Sequence, residues 1–296
     1  IKRKAGDIQM RDISYDNITD TVVQAYSGTK DARTSEILSL LIRRLHDFVR
    51  EVNLTPLEWE AAMGVLARAA ASTDEERNEF ILLSDLLGVS ALVDLIDGQQ
   101  DQKASITTLM GPFYVPETPV LANGADLTGD NGGERILVYG QVRGSDDKPL
   151  GGGQIEVWQN APNGLYAVQD PGQPEHNLRG TLHADENGNY AFATAKPISY
   201  QVPDDGAGGE LVRAGGRHCW RPAHIHIMVT AEGCKRHISQ IFDLNDPYID
   251  EDAVFGVRRP LAVPYDKQPS EEERARFADI QQPFNVASVD FVLAPA

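Results

Sequence analysis

Two histidines, His224 and His226, stand two residues apart inside "CWRPAHIHIMV", Cys219 to Val229, a stretch with the alternation of a β-strand. Side chains on a strand alternate faces, so both imidazoles point one way while Ile225 and Ile227 point the other. A packing strand would fill the first face with apolar groups. Two neutral nitrogen donors side by side can instead hold a metal ion, although strand histidines also serve in packing and the pair alone does not decide. A third ligand would have to come from elsewhere. There is no Cys-x-x-Cys, no third histidine at metal spacing and no His-Glu-x-x-His helix, so the usual structural and hydrolytic zinc patterns fail. The remaining histidines, His46, His176, His183, His218 and His237, are scattered and are expected in solvent or in local hydrogen bonds.

Two tyrosines stand out by context. Tyr166 lies in "APNGLYAVQD", a loop directly after the candidate strand "QIEVWQ", and Tyr200 lies in "PISYQVPDDG", an extended segment before a turn. Taken singly, each reads as a packing aromatic whose hydroxyl finds a partner.

The elements that must position these residues fall into two groups. The first hundred residues are predicted to be helical. Residues 34–51 repeat apolar positions at helical spacing: Ile37, Leu38, Leu41, Leu45, Phe48 and Val49. A second helix opens at "TPLE", where Thr55 caps, Pro56 takes the first turn and Glu58 closes a capping box. A third opens at "TDEE", Thr73 to Glu76, and runs through "FILLSDLLGVSALVDLI" to a stop at Gly98. None carries a chemical motif, which suits a helical bundle or an oligomer surface.

Around residues 98–134 Gly, Pro, Asn and Asp accumulate, and the stretch reads as a linker. Beyond it "ILVYGQV", "QIEVWQ", "NYAFAT", "HIHIMV", "ISQIFD" and "VDFVLA" are strand candidates, separated by turns such as "DDKPLGGG" and "DENG". Short strands so spaced predict an all-β sandwich or barrel. The expected class is therefore mixed α and β: a helical region with its linker over 1–117, then a β-sandwich over 118–296.

Composition bounds the function. The chain has 296 residues, 24% charged and 41% hydrophobic, as an ordinary globular protein with room for about two domains does. A net charge of −17 argues against a nucleic-acid backbone or an anionic membrane as partner. No apolar run is long enough to span a bilayer, and "IKRKAGDIQMRD" lacks a signal peptide's apolar core. Two cysteines, Cys219 and Cys234, exclude a disulfide framework and are expected as reduced thiols in the cytoplasm.

From the helical region to about residue 265 the sequence resembles the intradiol ring-cleaving dioxygenases. The likeness rests on "GPFY", "IEVWQNAPNGLY", "LRGTLHADENGNYAF", "YQVPDDG" and above all "RPAHIHIMV". In that family two tyrosines and two histidines hold a non-haem ferric ion, and the matching positions are Tyr166, Tyr200, His224 and His226, for one Fe(III) per subunit. Phenolate oxygen suits hard ferric iron better than thiolate. A metal favours deprotonated ligands, so tyrosines with a pKa of about 10 in water can bind as phenolates. The reaction implied is oxidative cleavage by O2 between the two hydroxyl-bearing carbons of an aromatic diol or triol, giving a muconate-type diacid. In the family the axial tyrosine leaves the metal and takes a proton when substrate binds, and the resemblance places Tyr200 in that role. Arg221 matches a cation beside the reacting ring, where it would stabilise developing negative charge. Gln240 matches a position lining the iron site. The resemblance further implies a homodimer through the N-terminal helices, often around a bound phospholipid.

Two stretches, "ILLSDLLGV" and "DAVFGVRRPL", look most like the branch acting on hydroxyquinol (benzene-1,2,4-triol), with catechol and chlorocatechols as alternatives. The pocket positions carried over are Leu82, Asp85, Met110, Gly111, Pro112, Phe113 and Val254, with Arg221. Ile81, Ser84, Asp85 and Gly88 share a predicted helix face. A carboxylate there could accept a hydrogen bond from a third ring hydroxyl, although a solvated Asp among leucines fits the spacing as well. Two rivals come from other classes. A non-catalytic β-sandwich binding module would be colourless where a tyrosinate–ferric site is coloured, and an extradiol-type ferrous enzyme would need two histidines and a carboxylate.

Overall fold

The computed structural model of the chain describes residues 10–74, 77–98, 103–281 and 283–296. Two compact units divide between Ala67 and Arg68. The predicted N-terminal reading of residues 1–9 lies outside the described residues. None of the described helices is long and apolar enough to cross a membrane.

In the first unit α1 (Ile18–Ala25) packs on α2 (Ala32–Glu51). Thr19 Oγ1 joins His46 Nδ1 at 3.0 Å and accepts from Arg50 Nη2 at 2.7 Å. Asp31 caps α2 by accepting from the Thr34 N–H. No residue of α2 is buried: Leu41, Leu45, Phe48 and Val49 recur along one stripe and all are exposed. α3 (Pro56–Ala71) starts as its sequence predicts, with the Glu58 N–H donating to Thr55 Oγ1 and the Thr55 N–H to the Glu58 carboxylate.

In the second unit the third predicted helix is two. Glu75 and Glu76 of "TDEE" lie outside the described residues, and α4 (Glu79–Leu86) begins after Asn78, whose side chain accepts from the N–H groups of Phe80 and Ile81. Gly88 has a φ of +70°, and α5 (Val89–Gly98) sets off beyond it. A left-handed glycine past the last turn is a helix stop that apolar periodicity does not register. Gly88 therefore stands outside the helix that carries Asp85. The expected linker also does more than connect. Leu121 and Leu127 donate their N–H groups to Thr181 O and Ala193 O, against two of the strands.

The strands are β1 (Arg135–Gly144), β2 (Gln154–Gln159), β3 (Arg179–His183), β4 (Asn189–Ala195), β5 (Tyr200–Gln201), β6 (Trp220–Arg221), β7 (His224–Thr230), β8 (His237–Asp243), β9 (Ala262–Val263), β10 (Asn285–Ser288) and β11 (Phe291–Leu293). α6 (Ala207–Ala214) and α7 (Glu271–Arg276) interrupt them. One sheet has the order β3-β2-β7-β8-β9. In the other, β1 pairs antiparallel with β4 and parallel with β10 and β11, while β5 and β6 make a short ribbon. A single apolar cluster takes Ile136 and Val138 from β1, Ile155 and Val157 from β2, and Ile225 and Ile227 from β7. Each such burial is worth roughly 1.5–3 kcal/mol. The isoleucine face of β7 is therefore core, and the histidine face looks the other way.

His183 is exposed as expected, but His46, His183 and His218 each bond a residue distant in sequence, and His176 Nδ1 has no partner among the described residues. His237 does not fit the expectation of a solvated side chain. It is 4% exposed, lies against Phe291, and its Nε2 has no partner among the described residues. Burial holds its pKa down to about 4.

Candidate metal centre

The register of the five-stranded sheet sets Arg179 opposite Trp158, Trp158 opposite His226, and His226 opposite Gln240. Cross-strand partners share a face, so these four residues form one row over β3, β2, β7 and β8. Trp158 lies flat on His226, with ring centroids 4.8 Å apart and planes 10° from parallel. Gly111 leaves room on another side: its φ is +72°, and a β-carbon there would stand 3.2 Å from His226 Cε1.

Tyr166 precedes a single 3-10 turn after β2, and Tyr200 opens β5, paired with Arg221 in β6. The two phenol rings meet edge to face at 5.6 Å, and Tyr200 lies 5.5 Å from the His224 ring. His224 Nε2 is 3.2 Å from His226 Nε2, 3.4 Å from the Tyr166 hydroxyl and 3.2 Å from Arg221 Nη1. All four candidate ligands are buried, Tyr200 least so at 6% exposed. Residues from four separate segments thus converge.

The electrostatics fit a cation. His224 Nδ1 donates to Pro222 O at 2.8 Å, which leaves Nε2 as a lone pair that accepts from Arg221 Nη1 and faces His226 Nε2 and the Tyr166 hydroxyl. His226 Nδ1 has no partner among the described residues. Burial, with Arg221 assisting, holds both imidazoles well below the usual histidine pKa, so both are neutral. Burial and the neighbouring Tyr200 push the Tyr166 phenol well above its usual value, so a phenolate there calls for a metal. Donors bonded to one first-row ion at roughly 2.0–2.2 Å are separated by roughly 2.8–3.6 Å, and the distances from His224 Nε2 to His226 Nε2 and to the Tyr166 hydroxyl lie in that interval. Among the described residues no group of three or more His, Cys, Asp or Glu is arranged for a metal. An ion at this place would draw on phenol oxygen as well as imidazole, a donor set that suits a hard, highly charged metal.

Arg221 is 3% exposed. Its Nε donates to Asp252 Oδ1 at 3.0 Å, and its Nη2 donates to Asp252 Oδ2 at 3.2 Å and to Gln240 Oε1 at 2.8 Å. Burial works against its charge, but the Asp252 carboxylate outweighs it and its pKa is raised. Gln240, expected along the metal site, braces Arg221 from behind and donates to Leu109 O.

A cavity of ≈ 600 Å³ reaches this cluster at Tyr200 and Arg221. Of the predicted ring-contacting residues Leu82, Asp85, Gly111, Pro112, Phe113 and Val254 line it. Met110 does not; it packs against the apolar cluster around Trp158 and Tyr166. The turn at Gly111 sends the two neighbours to different sides. Asp85 is buried rather than solvated, and burial raises its pKa against the pull of Ser90 and Arg221. Phe113 stacks on Tyr166 at 4.6 Å. The sequence reading missed Asp252, Trp158 and Arg179; Trp158 and Arg179 lie inside the motifs "IEVWQNAPNGLY" and "LRGTLHADENGNYAF", where only strand pairing could single them out.

Family models described as "Dioxygenase" and "Catechol dioxygenase N terminus" match residues 109–294 and 31–105. The chain is 40% identical over 286 residues to the 6-chlorohydroxyquinol 1,2-dioxygenase of Cupriavidus pinatubonensis, covering 97% of this chain and 99% of that one. It is 41% identical over 276 residues to a hydroxyquinol 1,2-dioxygenase of a Rhizobium species, covering 93% and 94%. A solved hydroxyquinol 1,2-dioxygenase from Pseudomonas putida superposes with a TM-score of 0.89 at 40% identity, covering 95% of this chain and 99% of that one.

Proposed function

The chain belongs to the intradiol ring-cleavage dioxygenases, and from that premise we propose that it opens the ring of hydroxyquinol between its adjacent hydroxylated carbons. Both atoms of O2 enter the product, a hydroxymuconate that is the enol of maleylacetate. The observation that carries the reading is one cavity that joins Tyr200 and Arg221 to the buried carboxylate of Asp85.

The family generally uses non-haem iron, and the residues that would hold one ferric ion here are Tyr166, Tyr200, His224 and His226. Bound there, ferric iron would supply Lewis acidity toward the substrate hydroxyls and the redox coupling of ring to O2. The chain's own groups do the rest. Tyr200, as the phenolate that a bound metal would stabilise, can take a substrate hydroxyl proton and become a neutral phenol. Arg221 directs Nη1 at the centre, where it stabilises negative charge on the ring. Leu82, Pro112, Phe113 and Val254 hold the ring flat and exclude water. Asp85 accepts the hydrogen bond of the third hydroxyl.

Oxygen uptake with hydroxyquinol, catechol and chlorinated analogues, with product spectra, tests the assignment. Hydroxyquinol is the expected best substrate, and uptake with none of them would overturn it. A chlorinated triol is the second reading, favoured by a cavity much larger than the bare ring and by the name of the Cupriavidus relative.

The same reading takes the two sheets around one apolar cluster as a sandwich that carries the metal, with the helical region and linker ending near residue 117. The exposed stripe of α2 is the face on which a second copy docks, with a phospholipid between the copies. Two free thiols, Cys219 and Cys234, support a reducing, cytoplasmic setting.

A further inference from the structure

Asp252 opens a five-residue turn that ends at Gly256, and its carboxylate serves the turn and the site together. Oδ1 accepts from Arg221 Nε at 3.0 Å and from the Val254 N–H at 3.3 Å. Oδ2 accepts from Arg221 Nη2 at 3.2 Å and from the Gly256 N–H at 2.8 Å. Asp252 is 6% exposed. The Ala253 N–H donates to Trp220 O at 3.0 Å, which stitches the turn to the strand that carries Arg221. Val254, in the middle of the turn, lines the cavity, whereas Asp252 does not.

The donor count on Arg221 gives this arrangement its meaning. A guanidinium has five N–H groups in a fixed plane. The Nε–H and both Nη2–H groups are taken by Asp252 and Gln240, leaving the two on Nη1, which is the nitrogen aimed at His224 Nε2. Gly256 keeps the fork seated, because a β-carbon there would stand 2.8 Å from Arg221 Nη2 and 3.0 Å from Asp252 Oδ2.

We propose that Asp252 is a positioning residue for ring cleavage: its carboxylate holds Arg221 in the single orientation that turns Nη1 to the reacting ring. This rests on the reading of Arg221 as the cation that stabilises charge on the ring. A displacement of about 1 Å in such a group costs on the order of 100-fold in rate.

Iron-loaded Asp252→Asn keeps the shape of the side chain and loses the charge that clamps the fork. Gly256→Ala leaves every charge in place and pushes a methyl against Nη2; Gly256 has no positive φ, so alanine suits its backbone. Both variants are expected to lower kcat about 30- to 100-fold with KM within a few-fold. Iron content and the resting charge-transfer spectrum should stay as in the wild type, because no ligand is touched. In an Arg221→Met background Asp252→Asn should cost nothing further, because it acts only through Arg221. Full additivity with Arg221→Met, or wild-type kcat in Gly256→Ala, overturns the proposal. Arg221→Met turning over at the wild-type rate overturns the reading of Arg221 itself, and the positioning role with it.

Discussion

The Nε2 atoms of His224 and His226 stand 3.2 Å apart, and at most one of them carries a hydrogen. His224 donates through Nδ1 to Pro222 O, so its Nε2 is a lone pair. If His226 places its proton on Nε2, its buried Nδ1 becomes an acceptor without a donor. If the proton stays on Nδ1, that buried N–H has no acceptor and the His226 Nε2 lone pair faces that of His224, which only Arg221 Nη1 satisfies. Either state costs free energy that a shared cation removes.

The purified protein is therefore expected to carry about one ferric ion per chain and to be red to purple. Tyr200→Phe should shift the colour and impair turnover. Tyr114→Phe should spare the colour, since the Tyr114 hydroxyl is engaged by Glu156 at 2.9 Å and its pKa is pushed up to about 12. Metal analysis with visible spectra of both variants checks this, and equal loss at both positions would mean that the ligand set is misassigned.

Asp85 should decide between the triol and the diol. A buried carboxylate left without its hydroxyl partner costs roughly 1–3 kcal/mol, which corresponds to about a tenfold to hundredfold preference for hydroxyquinol. Asp85→Ala should lower kcat/KM on hydroxyquinol and leave or raise it on catechol. Equal slowing of both substrates would make Asp85 a structural residue.

His237 should make the fold acid-sensitive. Its unfolded pKa is about 6.5 and its folded pKa about 4, so the unfolded chain binds the proton first as pH falls. The stability is whole above pH 6.5 and drains away towards pH 4, by roughly 3 kcal/mol in all. Denaturant titrations of metal-free wild type and His237→Leu across that interval should diverge, with the variant flatter. Parallel curves would rule the histidine out.

The α2 stripe should hold two copies together. Light scattering is expected to give a dimer, and Phe48→Glu, at a position 53% exposed in the single chain, should yield monomers with the iron spectrum intact. A dimer that survives Phe48→Glu would place the interface elsewhere.

The histidine pair was legible because strand alternation is local: His224 and His226 declare a shared face without any knowledge of the rest of the chain. The six strand candidates and the Thr55 cap are local in the same sense, and the structure contains them all. The proposed tyrosine ligands could be named only through family motifs, since nothing periodic around Tyr166 and Tyr200 reveals where they go. β3 was missed because Gly180 weakens its strand signal, and its pairing with β2 supplies what propensity does not. α6, "AGGELVRA", has two glycines in its first turns. The Gly208 N–H is satisfied by Glu79, a fully buried carboxylate 129 residues away in sequence. Asp252 hid for the same reason: its partner Arg221 is 31 residues distant, on another element.

The parallel pairing of β1 has a consequence for how the protein is made. Ile136 aligns with Asn285 and Val142 with Phe291, and the apolar floor under the histidine strand includes Ala287, Val289, Phe291 and Leu293. Such distant pairings form slowly compared with local ones. A ribosome adding about 5–20 residues per second has released every candidate metal ligand well before that floor exists. Expression of residues 1–284 should accordingly yield a chain that lacks the ferric colour. On the proposed ligand set, metal loading would wait for β10 and β11, and a translation pause ahead of Asn285 would leave the nascent ligand residues without the floor that holds them in place.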